Sequence, residues 1–248
     1  MKRVVNICWF MLLAIAGVLP GVMQAQASLV VGSTRLIYPE NAKEITVQLT
    51  NPQPQEKLAQ VWIDDGDPDA LADNSAVPFL IMPPLTRIEG QGTHRFRLMF
   101  TQQSVLPKDR ESLFWFNVLD IPPIHNMGTD SYLEFNYRTR IKLFYRPAAL
   151  ADNANHAGGS VRWKVVADNN SFRLKGMNSS PYYVSLNRVV LTDIGKRYSY
   201  VGEMIAPKAS VDFILDGLSS IPSKKAHVEY QWIDDYGEIH QQREILLN

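Results

Sequence analysis

The stretch Tyr132 to Pro147 reads YLEFNYRTRIKLFYRP and constrains the fold more than any other part of the chain. Leu133, Phe135, Tyr137, Thr139, Ile141, Leu143 and Tyr145 alternate with Glu134, Asn136, Arg138, Arg140, Lys142, Phe144 and Arg146. A period of two, with aromatic and β-branched residues in one row, is the pattern of a β-strand with one apolar face. At about 3.3 Å per residue it would reach roughly 40–45 Å, whereas ordinary strands reach about 17–20 Å. One small sandwich cannot cover all of that row with its own core. Part of it is expected to be offered to another chain.

Lys2 and Arg3 precede an almost unbroken apolar run from Ile7 to Val18, closed by Pro20 and Gly21. Ala25-Gln26-Ala27 puts small residues where a signal peptidase reads, so residues 1–27 are expected to be a secretory signal peptide cleaved before Ser28. That run is too short for a membrane span and no later segment matches one, so no membrane insertion is expected. The single cysteine, Cys8, lies in the leader. An exported chain without disulfides depends on cores of adequate size. Residues 28–248 suffice for two domains of about 100 residues each. Loss of Lys2 and Arg3 takes the 25 basic residues to 23 against 25 acidic ones, a net charge of about −2. Such a balance gives nucleic acid or an anionic membrane no electrostatic footing.

Short apolar runs separated by turn-formers fill the first half. They are Ser28–Tyr38, Lys43–Leu49, Leu58–Ile63 with Trp62 as its large core residue, Phe79–Met82, Arg95–Phe100, Leu113–Leu119 and the long strand. Runs of this kind predict an antiparallel β-sandwich of immunoglobulin type. Residues 148–160, with Asn153, Asn155, Gly158 and Gly159, form a loop-like break that separates a first domain, 28–147, from a second, 148–248. Strands resume at Val161–Ala167, Phe172–Gly176, Tyr182–Leu191, Ser199–Ile205, Ser210–Leu215, His227–Ile233 and Glu238–Leu246.

Catalytic and metal chemistry find little support. Asp64-Asp65-Gly66-Asp67-Pro68-Asp69 has the look of a calcium loop, but an EF-hand starting at Asp65 needs Gly at position 70 and Glu at position 76. Those positions hold Ala70 and Ala76, which leaves an acidic turn. His94, His125, His156, His227 and His240 are scattered, with no pair at metal-ligand spacing. No HExxH, GxSxG or phosphate loop is present. The chain is not expected to be an enzyme, and neither cofactor nor metal is expected. A secreted sandwich that binds carbohydrate or a small molecule is the competing reading, and it would require a concave aromatic cluster.

Three segments instead resemble the periplasmic chaperones of the chaperone–usher pathway: TRLIYP at 34–39, RESLFWFNVLDIPP at 110–123 and RIKLFYRP at 140–147. IDDYG at 233–237 is a weaker fourth, and the short connection Ile124–Ser131 with no mature cysteine is similar to the short-loop subclass. The resemblance implies two immunoglobulin-like β-sandwich domains at an angle, in the periplasm, with pilin or fimbrial subunits and an outer-membrane usher as partners. It implies that Arg35 and Lys142 grip the C-terminal carboxylate of a subunit. It implies that Leu133, Phe135 and Tyr137 enter the groove of an incomplete subunit, the exchange known as donor-strand complementation. Glu111, Arg146 and Asp235 are implied to form a charged cluster between the domains. Ile141, Leu143 and Tyr145 fall to the protein's own core. An uncovered edge also makes self-association of the client-free protein an expectation.

Overall fold

The computed structural model describes residues 29–72, 77–103, 105–121, 136–150, 154–168 and 171–247. The expected leader 1–27, Leu133, Phe135 and the connection Ile124–Ser131 lie outside the described residues. Two sandwiches follow each other along the chain, each around a core of its own.

In the first sandwich the strands are β1 (Val30–Val31), β2 (Arg35–Pro39), β3 (Ile45–Thr50), β4 (Lys57–Asp64) and β5 (Phe79–Met82). They continue with β6 (Leu85–Ile88), β7 (Thr93–Phe100), β8 (Ser112–Ile121) and β9 (Tyr137–Arg146). One sheet has the order β1-β3-β7-β5, the other β2-β9-β8-β4-β6. The first predicted strand is thus two strands in different sheets. Gly32, Ser33 and Thr34 break it, and the chain crosses from pairing with β3 to a parallel pairing with β9. Strand β6 was not anticipated; it borders β4 from Lys57↔Ile88 to Gln60↔Leu85.

Alternation decides what is buried. Ala59, Val61 and Ile63 of β4, Phe114, Phe116 and Val118 of β8, and Leu143 and Tyr145 of β9 all enter the core. Tyr38 is fully buried, stacks on Tyr145 and donates its hydroxyl to the carbonyls of Ala42 and Lys43. Trp62 does not belong to this core. It falls between Val61 and Ile63 and lies on the opposite face of the sheet, where Arg138 covers it and leaves it 7% exposed.

The second sandwich contains β10 (Arg162–Asp168), β11 (Ser171–Asn178), β12 (Val184–Asp193), β13 (Lys196–Val201) and β14 (Met204–Ile205). It closes with β15 (Ala209–Phe213), β16 (His227–Ile233) and β17 (Ile239–Ile245). Sheets β10-β11-β15 and β13-β12-β16-β17 enclose Trp163, Leu174, Phe213 and Tyr230, and β14 joins the second sheet through β12. The expected loop at 148–160 contains two short 3-10 segments, Ala148–Leu150 and Ala154–Ser160. The second packs Gly158 against Trp232 so closely that a Cβ there would come within 2.0 Å of the indole. Tyr230 fixes the same segment by donating to the Gly158 carbonyl at 2.9 Å.

Candidate functional site: a strand edge that ends at two cations

β9 has two different halves. Strand β8 pairs with it along both halves, from Ser112↔Tyr145 to Asp120↔Tyr137. Strand β2 pairs only with its second half, from Arg35↔Lys142 to Pro39↔Arg146. Among the described residues, Tyr137 to Ile141 have no strand on their other edge. Exposure of the core-facing row follows this division. Tyr145 and Leu143 are buried, Ile141 and Thr139 half-buried, and Tyr137 is 54% exposed. The core itself stops at Asp120, the cross-strand partner of Tyr137, which is 2% exposed and accepts from the Leu29 N–H and Lys57 Nζ. An apolar row therefore runs out past the end of its own core.

The open edge stops where two cations meet. Arg35 and Lys142 are register partners in the parallel pair β2–β9, so their side chains share one face. Arg35 is 8% exposed and donates from Nη1 to the carbonyl of Ile233 at 2.9 Å, while its buried Nε–H has no partner. Lys142 donates from Nζ to Ser185 Oγ at 3.0 Å. Both partners are neutral, and among the described residues neither cation forms an ion pair. Burial and then the neighbouring Arg35 lower the Lys142 ammonium to about 8, against the pull of Glu203. Burial also lowers Arg35, opposed by the charges of Asp235 and Asp234. The pair is a half-buried positive site without a counter-ion, and an anion would relieve both shifts.

Glu111, Arg146 and Asp235 do come together, at the junction of the sandwiches. Arg146 donates from Nε to Glu111 Oε1 at 2.8 Å, and from Nη1 and Nη2 to the two Asp235 oxygens at 2.6 and 2.9 Å. Glu111, 3% exposed, also accepts from the Tyr183 N–H at 2.8 Å. Burial is the larger influence on Glu111 and raises its carboxyl, with Arg146 opposing, while Arg146 itself is held firmly charged by Asp235 and Glu111. Because β9 carries Lys142 and Arg146, and Arg35 bonds to the last residue of β16, the cation pair and the domain junction are built on the same strands.

Several contacts at this junction had no readable signal in the sequence. Lys208 bonds Asp109 at 2.6 Å, and with Arg110 it holds that carboxyl at about 2. Gly237 has φ +88°, and a Cβ there would approach Thr34 Oγ1 to 2.7 Å. The Asp-Tyr-Gly turn can therefore rest against the start of β2 only with glycine at this position. Asp234, Glu238 and His240 bring metal-ligating atoms within 4.8 Å of one another. The Asp234 oxygens are already engaged by the N–H groups of Tyr236 and Glu238 and by His240 Nε2, as a lock on the β16–β17 turn.

Comparison with known proteins agrees with this architecture. Residues 28–151 match the family model of the pili and flagellar-assembly chaperone PapD N-terminal domain, and residues 156–244 that of the pili assembly chaperone PapD C-terminal domain. A probable fimbrial chaperone, YadV of Escherichia coli, is 38% identical over 85% of this chain and 87% of its own. The crystal structure of the Pseudomonas aeruginosa CupB2 chaperone superposes with a TM-score of 0.74 at 32% identity, covering 88% of this chain and all of that one. The SafB chaperone of Salmonella enterica, solved in complex with the SafA pilin, gives 0.70 at 30% identity over 88% of this chain and 96% of its own. The chain belongs to the pilus-assembly chaperone family: two immunoglobulin-like sandwiches set at an angle, acting in the periplasm as a chaperone and not as an enzyme.

Proposed function

We propose that the open edge of β9 receives the last available strand of a pilus subunit and that Arg35 and Lys142 hold the carboxylate at the end of that strand. The observation that carries this reading is the coincidence of the two features. The free edge ends at the only point where β2 begins, and there stand two cations with neutral partners. A strand lying along Tyr137–Ile141 with its C-terminus at Lys142 must run parallel to β9, in the same lane that β2 occupies further on. Main-chain hydrogen bonds join the strands, and Tyr137, with Leu133 and Phe135 before it, supplies alternating anchors. Arg35 offers a planar fork and Lys142 a point charge, a donor set suited to a carboxylate. Glu111, Arg146 and Asp235 stay clear of the subunit and fix the two domains against each other. Delivery of the subunit to an outer-membrane usher follows from the same role, with the leader 1–27 directing export.

Arg35→Ala and Lys142→Ala each test the reading. Either variant is expected to melt within a few degrees of the wild type and to recover less than about a tenth of the subunit in a periplasmic co-purification, because a buried carboxylate left unpaired costs about 3–5 kcal/mol. Recovery at the wild-type level with either variant would overturn the assignment.

A further inference from the structure

A row of polar side chains crosses the outward face of the β2-containing sheet, running diagonally over its strands. It starts at Asp64, the last residue of β4, which is 1% exposed. Asp64 Oδ1 accepts from Arg140 Nη2 and from the Gly66 N–H; Oδ2 accepts from Asn117 Nδ2 at 2.7 Å and Arg138 Nη2 at 3.4 Å. Asn117 of β8 is fully buried, and its Oδ1 accepts from Arg138 Nε and Nη2 at 3.0 and 2.8 Å. Each guanidinium also lies on an indole, Arg138 at 4.8 Å from Trp62 and Arg140 at 4.3 Å from Trp115. The row ends on β9 at the two arginines that flank Thr139, inside the half-strand that has a neighbour on one side only.

From this we infer that Asp64 is a positioning residue for the subunit-binding edge: through Arg138 and Arg140 it keeps residues 137–141 extended and seated on β8 before any subunit arrives. That role rests on the proposed use of the β9 edge. A strand end paired on one side opens easily unless its side chains are tied down. Here the ties lie on the face away from both the protein's core and the alternating anchors, so they do not compete with the subunit. One carboxylate serves both arginines and holds Asn117, so its loss leaves Arg140 without its ion pair and loosens the asparagine that, with the Pro68 carbonyl, carries Arg138. Burial acts to raise the Asp64 carboxyl, but bonds from Arg140 and Asn117 outweigh it and leave the group below the usual aspartate range, anionic at neutral pH. An edge ordered in advance spares the complex the cost of ordering it on association.

The test combines amide hydrogen exchange with binding of a synthetic peptide that carries the last strand of a cognate subunit, its C-terminus free or amidated. Asp64→Ala is expected to speed exchange at 137–141 about tenfold or more while residues 142–146 stay within about twofold, and to weaken free-acid peptide binding about tenfold. Arg138→Gln with Arg140→Gln is expected to reproduce both effects, and adding Asp64→Ala to that pair should cost little more, because the residues act as one unit. Unchanged exchange and affinity in Asp64→Ala would overturn the inference. So would exchange rising evenly through the domain, which marks an ordinary structural residue. If Asp64→Ala does not fold, the paired arginine variant decides between the same outcomes. The clamp is judged separately by the wild type alone: equal binding of amidated and free-acid peptides would overturn the carboxylate reading and leave the exchange result standing.

Discussion

At the scale of single residues, the proposed carboxylate clamp makes subunit binding depend on pH through Lys142. Its ammonium titrates at about 8 in the free protein, and a bound carboxylate favours the charged form and raises that value. The complex then holds more protons than its separated parts, so affinity should fall as pH rises above about 8, by up to about tenfold per pH unit. Calorimetry at pH 7 and 9 in buffers of different ionisation enthalpy should show proton uptake only at the higher pH; a flat profile would place the carboxylate elsewhere. For folding of the free protein the sign is opposite. The unfolded lysine binds more protons between about 8 and its ordinary 10.5, so stability rises with pH across that window. Arg35 and Lys142 were legible only through family resemblance, since an arginine in an apolar strand has no intrinsic meaning until β2 and β9 are known to be partners. Asp64 was not legible at all. It stands in an acidic run that reads as a turn, and its burial depends on Arg138 and Arg140, which lie 74 and 76 residues away.

At the scale of elements, alternation predicted the faces of β9 correctly because, Phe144 apart, its outward row is charged while its core row is mostly apolar. The same rule, applied to β4, would have put Trp62 outside the core, since Val61 and Ile63 flank it; hydrophobic size alone misplaced it. The break between β1 and β2 was missed because the apolar pattern runs through Gly32-Ser33-Thr34, and only the change of sheet shows that the strand is divided. Each sandwich also carries a buried asparagine that ties a turn to the strands around it. Asn51 donates to the carbonyls of Gln55, Ile88 and Glu89, and Asn178 to those of Tyr182, Ile205 and Ala206, while each Oδ1 accepts an N–H two residues on. For β9 the consequence is a clean separation of effects. Tyr137→Glu puts a charge on a side chain that is already exposed, so the melting temperature of the free protein should stay within about 2 °C. Subunit capture should be lost, because the charge would enter an apolar groove. A collapse of the melt would assign Tyr137 to the protein's own core.

At the scale of the whole molecule, the junction holds the two sandwiches through a small number of strong bonds. Arg146→Ala would leave Glu111 buried without a cation, at a cost of about 3–5 kcal/mol, and should both lower the melting temperature and broaden the distance distribution seen by solution scattering. Asp235→Asn should do less, because Asp235 is the more exposed of the two acids and a neutral amide can still accept from Arg146. A melt unchanged by Arg146→Ala would show the domains to be held by their apolar contacts instead. The open lane beside β9 has a further consequence. It is blocked at one end, because β2, from Arg35 onward, already fills the track that a longer guest would need. A strand from the middle of a polypeptide brings no carboxylate to the two cations and must turn out of the lane to continue, so it is held less well there. On the proposed reading the protein recognises completion: a subunit becomes eligible only when its final residue has been synthesised and brought across the membrane. On that reading the start of β2 sets the moment at which help is given as well as the place.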